Sequence, residues 1–174
     1  MKQAAKVFAR LSLLALFAGL AVILYRQTPP EEPPLTAPID RILIEKSARK
    51  MTVFRDGVAL KTYRIALGFA PVGDKVRQGD GRTPEGVFRI NRRNPNSAFH
   101  LSLGLDYPQP EDIARAEAGG YSPGGDIFIH GQQNGRGAIT LAYDWTAGCI
   151  AVSDKEIQEL WEFTPIGTEV EIRP

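Results

Sequence analysis

One cysteine, Cys149, and two histidines, His100 and His130, are all that this chain of 174 residues offers to thiol or imidazole chemistry. A lone cysteine excludes an intrachain disulfide. With no pair of these residues at ligand spacing, a zinc site, which needs three or four ligands, has no sequence support, and neither a metal nor a cofactor is expected. The chain also lacks an excess of either charge, its formal net charge being +1. Setting aside the four cations and two acids of the first 38 residues leaves 17 Lys+Arg against 18 Asp+Glu. That balance speaks against the strongly basic surface of a nucleic-acid-binding domain, so no nucleic-acid partner is expected. There is no internal repeat. The glycines between Gly68 and Gly86 are not followed by Gly-Lys-Ser/Thr or by a helical pattern, so they read as a long turn between strands and not as a phosphate cradle.

One long apolar run is present, from Leu11 to Tyr25, behind Lys2, Lys6 and Arg10. The uncharged stretch is short of the roughly 20 residues a transmembrane helix needs. Counted from Val7, with Arg10 snorkelling to the headgroups, it becomes long enough. Tyr25 to Pro29 offers no small-x-small cleavage site, so we read residues 1–26 as a cytoplasmic tip and uncleaved signal anchor, with a cleaved signal peptide as the alternative. Either way the basic flank stays in the cytoplasm and the rest is exported to the periplasm, tethered to the inner membrane if the anchor is kept. Residues 27–38 hold Pro29, Pro30, Pro33, Pro34 and Pro38 and read as a semi-extended linker.

From Ile39 the pattern is that of a mainly β domain with short helices, spanning residues 39–174. Arg41 to Lys46, Lys50 to Arg55 and Ala59 to Ala66 read as strands of an antiparallel meander, the last two joined at Asp56-Gly57. Val87 to Asn91, Ile127 to His130 and Thr168 to Ile172 are further strands, and Arg92 to Pro108 reads as irregular. A short helix is expected over Glu111 to Ala118, with Pro110 at its start and Gly119-Gly120 as its stop. A second follows the capping box that Ser153 forms with Glu156, with Ile157, Leu160 and Trp161 on one apolar face.

Cys149 lies where the turn Thr146-Ala147-Gly148 enters the apolar Ile150-Ala151-Val152. Small neighbours leave its side chain accessible, and Gly148 lets another backbone approach closely. His130 ends a strand 19 positions upstream. One thiol and one such imidazole are the minimum parts of a nucleophilic site. A free thiol, with a pKa of about 8.5, is only a few per cent ionised at pH 7. A neighbouring imidazole would raise that fraction through a thiolate–imidazolium pair, and a backbone carbonyl can fix the tautomer. The N–H groups of a tight turn ending at the nucleophile can bind the resulting oxyanion. The bland alternative for Cys149 is a small buried hydrophobe. His100 reads as structural or substrate-facing. Papain-type order, Cys before His, is the reverse of the order here.

His130-Gly131, a spacer and Thr146-Ala147-Gly148-Cys149-Ile150 together resemble the L,D-transpeptidase catalytic domain of YkuD type, whose pattern is His-Gly, a spacer, then Ser/Thr-His-Gly-Cys. Gly79 to Gly86 and Ser122 to Gly125 also look like segments of that family. The resemblance implies a β-sandwich or barrel and a substrate made of peptidoglycan stem peptides. It implies Cys149 as nucleophile, His130 as general base and the Gly131 carbonyl as the group orienting His130. Ala147, Gly148 and Cys149 would supply the oxyanion hole, with Trp145, Thr146 and Arg136 facing substrate. The family's chemistry forms 3→3 cross-links after expelling terminal D-Ala, or acts as an L,D-carboxypeptidase when water is the acceptor. A third possibility is a wall-binding module without activity. Two positions depart from the pattern: Ala147 stands where the family has His, and Ala151 where it often has Arg. An interaction made by that Arg must come from elsewhere, with Arg136 and Arg82 as candidates.

Overall fold

A computed structural model describes residues 33–136 and 143–174. The expected anchor and most of the expected linker lie outside the described residues. Among the described residues no helix is long and apolar enough to cross a membrane. The compact unit runs from Pro34 to Pro174. It therefore begins inside the stretch expected to be linker: Leu35 is buried, and its N–H donates to the Glu159 carboxylate at 2.7 Å.

Alternation of apolar and polar residues builds the first half of the sheet. In β1 (Arg41–Glu45) and β2 (Lys50–Arg55) every second residue is buried, so Ile42, Ile44, Met51 and Val53 enter the core. The two strands pair antiparallel. Asp56 and Gly57, both at positive φ, then reverse the chain into β3 (Val58–Arg64). The meander is thus as expected. The partner on the other side of β1 is β8 (Glu169–Arg173), which lies parallel to it and adds Val170 and Ile172.

The segment expected to be irregular is instead paired structure. β4 runs from Gly86 to Ser97, twelve residues, and β5 from His100 to Leu105. The start of β4 pairs with β8 and its end with β5, with register irregularities between Ile90 and Arg92 and between Asn94 and Ser97. β6 (Phe128–His130) and the two-residue β7 (Ile150–Ala151) complete the order β3-β2-β1-β8-β4-β5-β6-β7. Among the described residues this sheet is not closed into a barrel; isolated bridges of Ala66 with Ala151 and of Gly68 with Thr146 link the chain after β3 to the region of β7. The closed-barrel form of the expected fold is therefore corrected, since two isolated bridges stand where a continuous ladder would close the sheet.

Helix α1 (Pro110–Gly119) starts at proline, as expected, and stops at Gly120 in the left-handed conformation. Helix α2 (Asp154–Phe163) carries the expected capping box, Ser153 and Glu156 each satisfying the other's backbone N–H. Its Ile157 and Leu160 join Leu103, Ile129 and Ile150 in the same core cluster as the residues of β1, β2 and β8. Each such fully buried side chain contributes about 1.5–3 kcal/mol.

Candidate active site

Strand register decides what can meet. β6 pairs parallel with β7, Ile129 opposite Ile150 and His130 opposite Ala151. Because side chains alternate faces, Ile129 and Ile150 point into the core, while His130 and Ala151 share the other face. Cys149, one residue before Ile150, falls in line with Phe128 on that second face. The fold therefore brings His130 and Cys149 to one surface of two neighbouring strands.

The turn before Cys149 is held from several sides. Asp144 accepts hydrogen bonds from the Arg49 guanidinium, the shortest at 2.7 Å, and from the Leu67 N–H at 2.9 Å. The Thr146 hydroxyl donates to the Cys149 carbonyl at 2.7 Å and accepts from the Gly148 N–H at 3.1 Å. Gly148 has φ +138°, and a Cβ on it would come within 2.7 Å of the Arg82 carbonyl. The close backbone approach expected at Gly148 is thus made by the Gly68–Gly86 segment. That segment packs equally tightly on itself, a Cβ on Gly68 meeting the Gly81 carbonyl at 2.1 Å.

His130 is buried, with its Nδ1 2.7 Å from the Gly131 carbonyl. A carbonyl only accepts, so Nδ1 carries the proton and Nε2 presents a lone pair. The ring lies between Phe99 and Trp145, with centroids at 4.6 and 5.7 Å. Burial lowers the imidazole pKa, against a smaller upward pull from the Gly131 hydrogen bond.

Cys149 is partly exposed. Its thiol donates to the Asp126 carbonyl at 3.3 Å. Burial pushes the thiol pKa up. The Phe128 N–H and the charges of Lys75 and Arg92 pull it down, while the Asp126 charge adds to the rise. Both shifts favour the neutral forms. These directions run against the thiolate–imidazolium pair expected from the sequence, because burial penalises the charged form of each group.

Of the three amides expected to face an oxyanion, that of Gly148 is engaged by the Thr146 hydroxyl, whereas those of Ala147 and Cys149 have no hydrogen-bond partner among the described residues. Thr146 is buried, and its hydroxyl makes both of its bonds within the turn. Trp145 packs beside His130, and its indole Nε1 is buried without a partner. Arg136 is exposed at the edge of the described residues, and Arg82 donates to the Asp74 carbonyl at 3.2 Å. His100 lies at the start of β5, its Nε2 2.8 Å from the Gln158 side chain. Among the described residues no group of three His, Cys, Asp or Glu could hold a metal ion.

Sequence reasoning missed Phe99, Asp126 and Arg92. Asp126 sits at φ +56°, and its side chain pairs with Arg92 at 2.7 Å. The Arg92 guanidinium lies 4.5 Å over the Phe128 ring. Ser122 to Gly125, a turn signal just before Asp126, was the available hint.

Comparisons with known proteins place the domain in a family. YafK of Escherichia coli (strain K12) is 27% identical over 106 residues, 60% of this chain and 37% of that protein. YkuD of Bacillus licheniformis is 27% identical over 139 residues, 77% of this chain and 66% of its own. The chain thus spans about a third of the first of these relatives. In fold it is similar to the helical cell shape determining protein Pgp2 from Campylobacter jejuni, with TM-score 0.62 and 22% identity over 83% of this chain and 52% of that one. It is also similar to Bd1075 of Bdellovibrio bacteriovorus, with TM-score 0.57 and 23% identity over 82% and 51% of the two chains. The family description YkuD, L,D-transpeptidase catalytic domain, matches residues 39–172, and the chain belongs to that family.

Proposed function

We propose that this domain is a cysteine acyltransferase of peptidoglycan stem peptides, forming 3→3 cross-links. The observation that carries the reading is the placement of His130 and Cys149 on one face of β6 and β7, with Nδ1 held by the Gly131 carbonyl and Nε2 left to act as base. The thiol turns from Asp126 toward the imidazole and gives its proton to Nε2. The sulfur attacks the carbonyl of the L-centre of the diamino acid in a donor tetrapeptide. The oxyanion so formed accepts from the free N–H groups of Ala147 and Cys149, each such donor being worth about 10²–10³ in rate. Collapse breaks the amide bond, and the departing D-alanine amine takes the proton from His130, leaving a thioester. The amine of a second stem then attacks the thioester and loses its proton through His130. This forms the new amide and returns the thiol. Water in place of that amine gives an L,D-carboxypeptidase with the same residues.

Substrate supply fits an exported domain, and we assign residues 1–26 the role of inner-membrane tether in the periplasm, with residues 27–38 as spacer. Membrane fractionation and the intact mass of the mature protein test this, a mass beginning near Gln27 being incompatible with it.

The enzymatic reading is tested by intact mass after incubation with a stem tetrapeptide. Wild type should gain the tripeptide acyl group and Cys149→Ala should not. Released dimer identifies a transferase and released tripeptide a carboxypeptidase. A folded wild-type protein that never acylates would leave a binding module.

A further inference from the structure

The face that carries Cys149 is crossed by one long cationic side chain. Arg92 of β4 pairs with Gly104 of β5, which pairs with Phe128 of β6, the residue in line with Cys149. The three positions therefore form a row ending at the thiol. Gly104 keeps the row open: a Cβ there would meet Arg92 Cγ at 2.5 Å and Nε at 2.8 Å. Arg92 lies flat through this gap, and its guanidinium reaches the Phe128 ring at 4.5 Å. A planar cation stacked on an aromatic ring keeps its N–H edge available for a carboxylate.

That edge is occupied by a carboxylate of the protein itself. Asp126 pairs with Arg92 at 2.7 Å, although its own side chain is 86% exposed. The same residue's carbonyl holds the Cys149 thiol at 3.3 Å. An exposed ion pair of this kind adds little to stability, so another carboxylate can replace Asp126 at small cost. The position where the family often carries an arginine is Ala151, and it is no substitute source of charge, being buried between His130 and Ala66.

We propose that Arg92 binds the free α-carboxylate of the residue expelled from the donor peptide, and that Asp126 occupies this site at rest. The inference rests on the acyl-transfer reading above. In the scissile amide, the leaving nitrogen and that carboxylate are joined through a single Cα, so the carboxylate sits next to the attacked carbonyl. Its arrival displaces Asp126, the residue whose carbonyl holds the thiol.

The test uses the full chain and two donors, a stem tetrapeptide with a free C-terminal carboxylate and the same peptide as a C-terminal amide. In wild type the amide should lower kcat/KM by about tenfold or more, as for loss of one charge-assisted hydrogen bond. In Arg92→Gln the free acid should fall to the level of the amide, and the difference between donors should vanish. Asp126→Asn keeps a side chain that tolerates positive φ, and it should lower KM for the free acid and not for the amide. Thermal melting of each variant confirms that it is folded. Discrimination that persists unchanged in Arg92→Gln would overturn the role of Arg92. So would a wild type that turns over both donors equally. A wild type that turns over neither would remove the acyl-transfer reading itself, and this inference with it.

Discussion

The Gly131 carbonyl lies 2.7 Å from His130 Nδ1, and the residue that supplies it has no room for a side chain. A Cβ on Gly131 would meet Asp154 Oδ1 at 2.6 Å and Ile157 Cγ2 at 3.0 Å. The group that fixes the imidazole is thus a backbone atom clamped between β6 and the start of α2, and it can be moved only by crowding. Gly131→Ala should shift that carbonyl. A displacement of about 1 Å at a catalytic group costs on the order of 10²-fold in rate. We expect kcat to fall with little change in KM, together with about 1–3 kcal/mol of lost stability from overpacking. Steady-state kinetics beside urea unfolding separate the two effects, and wild-type kcat in a folded Gly131→Ala protein would contradict the orienting role.

The burial of both groups has its own signature. Burial raises the Cys149 pKa and lowers that of His130, so at pH 7 the thiolate fraction is smaller than in a free cysteine. Alkylation by iodoacetamide, followed by intact mass, should therefore be slow at pH 7 and climb through and beyond the ordinary thiol range of about 8.5. A rate already at its plateau from pH 6 to 8 would instead reveal a preformed thiolate–imidazolium pair.

Local patterns in the sequence carried the meander, both helices and their caps, and singled out the two residues on which the proposed site is built. Each depends on near neighbours: Asp56-Gly57 for a turn, Ser153 with Glu156 for a cap, alternation for β1, β2 and β8. β5 was not legible, because its residues from Ser102 to Leu105 are buried on both faces and so show no alternation. Asn94 and Ser97 hid the end of β4 for a related reason, since the register slips between them. The parallel pairing of β1 with β8 joins residues more than 120 positions apart and leaves no local mark. In the proposed site, the candidates Cys149 and His130 could be named from the sequence, but the directions of their pKa shifts could not. Those depend on burial by Phe99 and Trp145 and on the Asp126 carbonyl, none of which a motif encodes.

The Thr146 hydroxyl ties both ends of the nucleophile turn, accepting from the Gly148 N–H and donating to the Cys149 carbonyl. Thr146→Val keeps the shape and removes both bonds, leaving a buried N–H and a carbonyl unsatisfied at about 1–3 kcal/mol each. With the turn no longer braced, the Ala147 and Cys149 amides lose their alignment, so acylation should slow beyond what the stability loss explains. Thr146→Ser retains the hydroxyl and should restore the acylation rate. Equal rates for the Val and Ser variants would show that the hydroxyl has no part in shaping the turn.

Beneath Gly148, the Gly68–Gly86 segment is organised by a buried ion pair. The Lys75 ammonium donates to Asp80 at 2.8 Å, and the two side chains are 3% and 10% exposed. Burial alone would raise the Asp80 pKa. The Lys75 hydrogen bond and the N–H groups of Arg77, Val76 and Arg82 more than offset it and hold the carboxyl at about 2. Asp80→Asn would leave the Lys75 charge buried without a counter-ion, which costs about 3–5 kcal/mol. A depressed carboxylate pKa contributes stability above the unfolded value, near 3.9, and loses it as pH falls toward the folded one. The difference in unfolding free energy between wild type and Asp80→Asn should therefore stay constant from pH 8 to pH 5 and shrink below about pH 4. Because Gly81 and Arg82 present their carbonyls to Gly68 and Gly148, the variant should also acylate more slowly while still folded. Urea titrations across that pH range provide the check, and a gap between the two proteins that persists undiminished at pH 3 would show that the stabilisation does not come from the ionised carboxylate.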